Sequence, residues 1–275
     1  MNTKAIYLTT TLVLATASFS TFNLTADTAT HDGLQLRYGD KGGNATLTVS
    51  QDITAGGHAS IAGRSFLMDF ELNGAQDTFA VKINKAKGSY TAHDMTQRLS
   101  ASGLKGQAFS LAKINNGRSL QRTDSDENLA IGLGEMIGIN YPIGLALVDI
   151  MPELPEVPVN VGSTWSSTQD TRSLEGWAWT TGRLDSEHTV TAVDQLNGHS
   201  IVSVTSTARA QVANVEGGID YSGDGALSRT SHWRFDATDG KLLSVSMEQN
   251  TSGRNTLPQG TMEVEQLTKV EFSIL

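Results

Sequence analysis

A mostly apolar segment, Leu129 to Trp165, lies between two long runs in which apolar and polar residues alternate. Its central part, Met136 to Val148, carries no charged residue. Alternation is typical of strands that bury one face, and a helical apolar segment in a β-rich chain must be covered by the sheet. This requirement constrains the fold more than any other part of the sequence.

The spacing within this segment predicts helix in two short pieces, an insertion of about residues 127–150. Apolar residues of the first piece recur at i, i+4, i+7 and i+8, one face of a helix, with Asp126 as its N-cap. These residues are Leu129, Leu133, Met136 and Ile137. Pro142 cannot donate to a preceding carbonyl, so the helix should break there, and a second piece follows at Ile143 to Ile150.

Three interpretations of this helical segment remain open. It can pack on the sheet as ordinary core, it can line or close a ligand cavity, or it can span a membrane. Spanning needs about 20 apolar residues, and Glu135, Asn140 and Pro142 interrupt the run. We therefore rank the membrane interpretation last.

The N-terminus predicts export. Residues 1–17 are typical of a signal peptide, with Lys4 as the charged region, Ala5 to Leu14 as the apolar region, and an A-x-A cleavage pattern at Ala15 to Ala17. Residues 18–33 read as a flexible spacer, and residues 34–275 as one domain. We expect a soluble protein of the periplasm or the secreted fraction.

Composition removes several classes of function. The chain has no cysteine, which excludes disulfides and an N-terminal lipid anchor on cysteine. Its formal net charge is −9, and it contains no basic run. An acidic chain of this kind is not expected to bind nucleic acid or to dock on anionic lipid through charge.

Strand signals occupy both halves of the chain. The final strand alternates most regularly, because apolar or neutral side chains share one face and charged ones the other; the first set runs from Met262 to Ile274 in steps of two. Asn73-Gly74, Asn197-Gly198 and Asp239-Gly240 are tight-turn signals. We count about 11–12 strands and predict a mainly β fold, a single curved antiparallel sheet that forms a half-open barrel around the helical segment.

Several segments in order resemble a known family. They are Pro152 to Trp165, which is similar to a "P…V.VGDTW" signature, Val190 to His199, Gly223 to Gly225, and Trp233 to Leu243. Together they resemble bacterial envelope proteins with the LolA/LppX-like half-barrel. The resemblance implies a sheet wrapped around helix with a hydrophobic cavity, and relatives that carry lipids or lipoproteins through the envelope. The chain departs from lipid-anchored members because it lacks the anchoring cysteine.

No motif for catalysis or metal binding is present in the sequence. The six histidines show neither H-x-H nor H-x-x-x-H spacing, and no G-x-S-x-G occurs. Asp124, Asp126 and Glu127 could bind calcium, although helix capping explains them as well. We predict no catalytic residue, no metal and no cofactor.

The best candidates for ligand contact are apolar or aromatic. Trp177 and Trp179 lie two residues apart on a predicted strand and should point the same way. Met136, Ile137 and Tyr141 would form the helical side of a cavity. The alternative for all five residues is ordinary core packing.

The leading hypothesis is an exported, non-enzymatic carrier or binding protein for a hydrophobic, lipid-like ligand. The second is a scaffold or interaction module of the envelope with a self-filled core, which would bind a protein partner. The third is a hydrolase with a carboxylate site, which predicts a cleft with converging acids of perturbed pKa.

Overall fold

Long β-strands make up nearly all of the part of the chain that the structure describes. This computed structural model describes residues 33–56, 58–92, 95–99, 104–123, 130–132, 140–175, 178–215, 222–257 and 260–275. The predicted signal peptide and all but the last residue of the predicted spacer lie outside these ranges. The described chain from Gly33 onward forms one compact unit.

The structure contains fourteen strands and one helix within the described residues, in the following order along the chain. They are β1 (Gly43–Ala55), β2 (His58–Gly74), β3 (Thr78–Ala92), β4 (Met95–Leu99), β5 (Ala108–Ile114), β6 (Ser119–Arg122), β7 (Ala130–Gly132), β8 (Asn140–Pro142), α1 (Ile143–Ile150), β9 (Thr164–Glu175), β10 (Ala178–Leu196), β11 (His199–Val215), β12 (Ser222–Asp236), β13 (Lys241–Leu257) and β14 (Gly260–Ile274).

Twelve of the strands form one antiparallel sheet. Its order is β6-β5-β3-β2-β1-β14-β13-β12-β11-β10-β9, with β4 paired to β3 beside β5. The two end strands, β6 and β9, do not pair with each other, so the sheet stays open. This arrangement confirms the predicted mainly β fold, its single antiparallel sheet and the predicted number of strands.

The first and last strands of the sheet join the two halves of the chain. Strand β1 pairs with β14 over eleven residues, from Ala45 opposite Ile274 to Ala55 opposite Val264. The alternation of β14 buries Val270 and Phe272 on one face, as predicted, and exposes Lys269 and Glu271 on the other. We call the face with the buried side chains the inner face.

The main hydrophobic core covers the inner face between β1, β2, β3, β13 and β14. Its large side chains include Leu47, Phe70, Phe272 and, from β12, Phe235. Each such side chain contributes about 1.5–3 kcal/mol when it is fully buried. Helix α1 adds Leu147 and Ile150 to the same core, so the helix lies on the inner face as the sequence predicted.

The predicted helical insertion of about residues 127–150 is wrong in its first part. Helix is found only at Ile143–Ile150, while Ala130–Gly132 and Asn140–Pro142 pair as an antiparallel two-stranded sheet. Three glycines between positions 132 and 138 disfavour helix by about 1 kcal/mol each, and strand pairing overrides the apolar spacing. Residues 133–139 lie outside the described ranges. Within those ranges, no helix has the length and apolarity needed to cross a bilayer.

The segment that follows α1, residues 151–163, is held mainly by donors to its carbonyl oxygens. Tyr38 Oη donates to the carbonyl of Pro152 at 2.9 Å, and Trp165 Nε1 to that of Glu153 at 3.0 Å. Leu154 N donates to Arg118 O beside β6 at 2.8 Å. The segment therefore connects the two end strands of the open sheet, and it positions the last residues of α1 over β9 to β13.

Candidate functional site

A row of mostly polar side chains crosses the inner face of the sheet. Strand register places its members opposite one another on eight strands that are neighbours in the sheet, in the order β2-β1-β14-β13-β12-β11-β10-β9. They are Arg64, Gln51, Thr268, Gln249, Arg229, Ala208, Ser186 and Ser167. We call them the polar row. Polar groups in this position divide the inner face into two apolar areas, the main core and a smaller cluster.

Hydrogen bonds join neighbouring buried groups of the polar row. Arg229 donates from Nε and Nη2 to Oε1 of Gln249, at 3.0 and 2.7 Å, and from Nη1 to the carbonyl of Asp149 at 3.2 Å. Gln51 and Thr268 are joined at 3.4 Å. Burial of such groups is tolerated only when they are paired in this way, so this part of the interior is built for polar contacts.

A smaller apolar cluster adjoins the polar row on the side away from the main core. It consists of Ala208, which belongs to the row, and of Leu184, Ala210 and Leu227, all buried. The alanines are small, so the cluster contributes little side-chain volume to the interior.

A cavity of about 40 Å³ lies between the end of α1 and strands β9 to β13. Serine hydroxyls from four adjacent strands line it, and we therefore call it the serine cavity; these residues are Ser167, Ser186, Ser206 and Ser231. Asp149, Glu153 and Arg229 add charged groups, while Leu184 and Ala208 of the smaller apolar cluster form part of its wall. Among the described residues, this cavity brings converging polar groups together with two groups of shifted pKa, Asp149 and His188. This combination is typical of binding or catalytic sites.

His188 is held at the edge of this cavity between two serines. Its Nδ1 lies 2.6 Å from Ser206 Oγ and its Nε2 lies 2.8 Å from Ser167 Oγ. The ring stacks on Trp165 with centroids 4.8 Å apart. Burial lowers the pKa of the imidazole to about 4, so His188 is neutral at pH 7.

Ser206 also accepts a hydrogen bond from a third side chain. Trp233 Nε1 donates to Ser206 Oγ at 2.9 Å. A neutral imidazole carries one ring proton, so His188 donates to one of its two serines and accepts from the other. Trp165, Ser167, Ser206 and Trp233 together hold the ring in place.

The pKa of Asp149 is shifted in the direction opposite to that of His188. Burial raises the pKa of its carboxyl to about 6, and the nearby Arg229 guanidinium only partly opposes this shift. Glu153, the other acid at the cavity, faces Arg118 at 3.8 Å. The two acids thus lie in different environments, Asp149 buried at the end of α1 and Glu153 beside Arg118.

The main core is filled by its own side chains. The cavity next to it measures about 20 Å³ and is surrounded by Tyr38, Leu72, Phe79 and Leu111. Sites for organic ligands usually measure about 300–1,000 Å³. Space for an acyl chain is therefore not found in this part of the described inner face.

Two further clusters lie outside the serine cavity. An open groove of about 410 Å³ crosses the outer face of β10 to β13, with Arg183 and Arg209 at one side. His199, Asp236 and Asp239 could together hold a metal ion. Asp236 is already occupied, because Oδ1 accepts from two backbone amides of the β12–β13 turn and Oδ2 lies 2.7 Å from His199 Nδ1. The turn explains this cluster without an ion.

The structure does not test the five predicted ligand contacts, which stay predictions. Met136, Ile137 and Trp177 lie outside the described residues, as do the three acids of the possible calcium site. Tyr141 belongs to β8, opposite Ile131, and Trp179 belongs to β10, opposite Leu174 and Val215. Only the backbone of these two residues is described.

Sequence reasoning missed Asp149, His188, Ser206 and Arg229. A signal was present in β10, where Ser186 and His188 take the inward positions between Leu184 and Val190. Polar residues at inward positions of a strand indicate a buried polar site. This signal can be recognised only when it is known which residues of the strand point inward.

Comparison with known proteins supports the fold alone. No family model matches the chain, and no curated protein matches it. The sheet is similar to a structure concerning lipid–protein interactions in lipovitellin, with a TM-score of 0.50 at 10% identity, covering 84% of this chain. The chain spans 25% of that lipovitellin chain.

Two further solved structures were matched at lower similarity. One is OccK5 (OpdH) of Pseudomonas aeruginosa, with a TM-score of 0.29 at 6% identity, covering 87% of this chain and 99% of that one. The other is a DUF1329 family protein of Desulfovibrio piger, with a TM-score of 0.18 at 9% identity, covering 85% of this chain and 85% of that one. Neither score carries an argument. The chain is therefore assigned to a fold, an open antiparallel sheet similar to one in lipovitellin, and the LolA/LppX-like resemblance stays a prediction.

Proposed function

We propose that this protein is an exported, non-enzymatic carrier or binding protein for a hydrophobic, lipid-like ligand. One observation carries the proposal. The inner face of the open sheet holds a second apolar cluster, separated from the filled core by the polar row and lying beside the serine cavity. A fold that needed only a core would gain more by continuing the main core across that area, since buried polar groups add little net stability.

The place of the ligand follows from this division. Because the main core is filled, we assign the alkyl chain of the ligand to the area of the smaller apolar cluster, whose larger members are Leu184 and Leu227. Burial of the chain there would contribute about 25 cal/mol for each Å² of apolar surface. The lipovitellin structure supports the proposed lipid-like ligand, because it concerns lipid–protein interactions and contains a similar sheet.

The non-enzymatic part of the proposal rests on His188 and Glu153. Burial lowers the pKa of His188 to about 4, so it is a poor general base at neutral pH. Glu153 is turned toward Arg118. These contacts favour a site that holds a ligand by hydrogen bonds over one that transfers protons.

A second candidate function has a specific observation in its favour. The self-filled main core and the twelve-residue end strand β9 fit a scaffold that binds a protein partner by strand pairing. This alternative predicts a ligand-free interior and a partner that protects the backbone amides of β9 from hydrogen exchange.

Uptake of a fluorescent fatty acid by the purified protein tests the carrier proposal. We expect saturable binding that is lost in Leu227→Glu, which places a charge in the smaller apolar cluster. Ala226→Glu is the matched control, because Ala226 is the next residue of β12 and is exposed on the outer face. Ala210→Leu, which fills the cluster without a charge, should also weaken binding.

The folded state of each variant is checked by circular dichroism before binding is measured. Equal uptake by the Leu227→Glu and Ala226→Glu proteins would contradict the proposed place of the ligand. Absence of uptake by the unsubstituted protein, together with protection of β9 by a captured partner, would support the scaffold.

A further inference from the structure

The serine cavity has the size of a small polar group. A cavity needs at least about 10–15 Å³ of this measure to hold one water molecule, so a volume of about 40 Å³ admits a polar group larger than one water. The two neighbouring hydroxyl groups of a glycerol ester are a group of this kind. An alkyl chain does not fit in the cavity, and the walls are too polar to favour one.

Two serines of the cavity are ready for a hydrogen-bonding ligand. Ser167 and Ser206 already bind His188. The hydroxyl groups of Ser186 and Ser231, by contrast, make no hydrogen bond to another group in the described part of the chain, although both residues line the cavity. Each hydroxyl offers one donor and two acceptor positions, so the pair can bind groups that both donate and accept.

The charges around the cavity disfavour an anionic group. Arg229 is the cation, and Gln249 and the carbonyl of Asp149 accept three of its N–H bonds. Asp149 and Glu153 are the acids at the cavity, from the end of α1 and the segment that follows it. An anionic head group would meet both carboxylates, while a hydroxyl can donate to Asp149 without the cost of burying a charge.

The position of the cavity relates it to the proposed chain site. Leu184 and Ala208 belong to both the cavity wall and the smaller apolar cluster. A ligand with its polar group in the cavity would therefore extend its alkyl chain directly over Leu184 toward Leu227. The polar group and the chain would be bound on neighbouring parts of one face.

We propose that the serine cavity is the head-group site of the ligand and that it binds a neutral, hydroxyl-rich head, such as the glycerol of a monoacylglycerol. This inference rests on the proposed carrier function and specifies its ligand class. Hydrogen bonds to Ser186 and Ser231 should account for about a tenfold difference in affinity, which corresponds to about 1.4 kcal/mol.

Calorimetric titration with four twelve-carbon probes tests the inference. They are monolauroylglycerol, dodecanol, dodecanoate and dodecyltrimethylammonium, each below its micelle concentration. We expect monolauroylglycerol to bind at least tenfold more tightly than the other three. The double variant Ser186→Ala/Ser231→Ala should lose this advantage and bind dodecanol as before.

The control is Ser166→Ala/Ser228→Ala, because both serines are exposed on the outer face of β9 and β12; it should bind all probes like the unsubstituted protein. Equal affinity for all four probes would overturn the head-group inference and leave the carrier function standing. Tighter binding of either ionic probe would overturn the inference in favour of a charged head. Binding of no probe at all would overturn the carrier function and the inference together.

Discussion

The inner face of one sheet is built in two different ways. Where β1, β2 and β14 lie side by side, Leu47, Phe70 and Phe272 interlock and leave about 20 Å³. Where β9 to β12 lie side by side, the corresponding positions hold serines, alanines, His188 and Arg229, and the interior keeps hydrogen-bonded groups and a polar cavity.

This difference separates stability from function within a single element. Close packing of large side chains gives the first region most of the free energy of folding. The second region contributes less, because the net gain from a buried hydrogen bond is about 1 kcal/mol. A region that buries polar groups and adds little to the free energy of folding is where a ligand site is expected.

Truncation of the core should show the largest effect. Phe70→Ala removes a ring packed 6.2 Å from the ring of Phe272, and we expect a loss of about 3–5 kcal/mol in the free energy of unfolding. Ser231→Ala in the second region should change it by less than about 1 kcal/mol. Urea denaturation measures both, and equal losses would contradict the division of the inner face.

His188 should make stability depend on pH. Burial lowers its pKa to about 4, so between pH 6.5 and 4 the unfolded chain binds a proton that the folded chain does not. Stability is therefore lost as the pH falls through this window, by at most about 3 kcal/mol.

The variant His188→Gln should remove that slope while losing some stability at pH 7. Urea denaturation at pH 4.5, 5.5 and 7 measures it. A slope that persists unchanged in His188→Gln would show that another group is responsible.

Asp149 should act in the opposite sense and more weakly. Its pKa is raised to about 6, so between pH 4 and 6 the folded chain binds the proton and stability falls as the pH rises. The half-buried position limits this contribution to about 1–2 kcal/mol.

Asp149→Asn should therefore be more stable than the unsubstituted protein at pH 7, and its stability should rise more steeply from pH 4 to 6.5, because only the contribution of His188 remains. Matching profiles of the two proteins would refute the raised pKa. NMR titration of the carboxyl carbon gives the pKa directly.

The outer face should show the smallest effect. Arg183 and Asp185 form an exposed ion pair at 3.3 Å on β10, the strand that carries His188 on its inner face. We expect Arg183→Gln to change the free energy of unfolding by less than about 0.5 kcal/mol. A loss close to that of His188→Gln would mean that the two faces of β10 contribute alike.

The sheet could be predicted from the sequence because alternation and turn chemistry are local. The strict alternation of Met262 to Ile274 is found in β14, and Asn197-Gly198 and Asp239-Gly240 form the β10–β11 and β12–β13 turns. Helix at Ile143 to Ile150 was also correct. Helix across residues 130–132 was wrong, because apolar spacing does not reveal that the segment pairs with residues 140–142.

The candidate site could not be predicted in this way. Ser167, His188, Ser206 and Arg229 come from four strands, and they meet only because the register of each pair is fixed by the whole sheet. Asp149 acquires its raised pKa from burial, which no spacing in the sequence shows. The predicted aromatic contacts at Trp177 and Trp179 remain untested.

Native mass spectrometry of the protein purified from its natural source, with solvent extraction of whatever is bound, tests the carrier function most directly. The account predicts a stoichiometric adduct of lipid size that is absent from Leu227→Glu and present in Ala226→Glu. A clean mass of the protein alone, with no uptake from added lipids, would contradict the account and favour the scaffold.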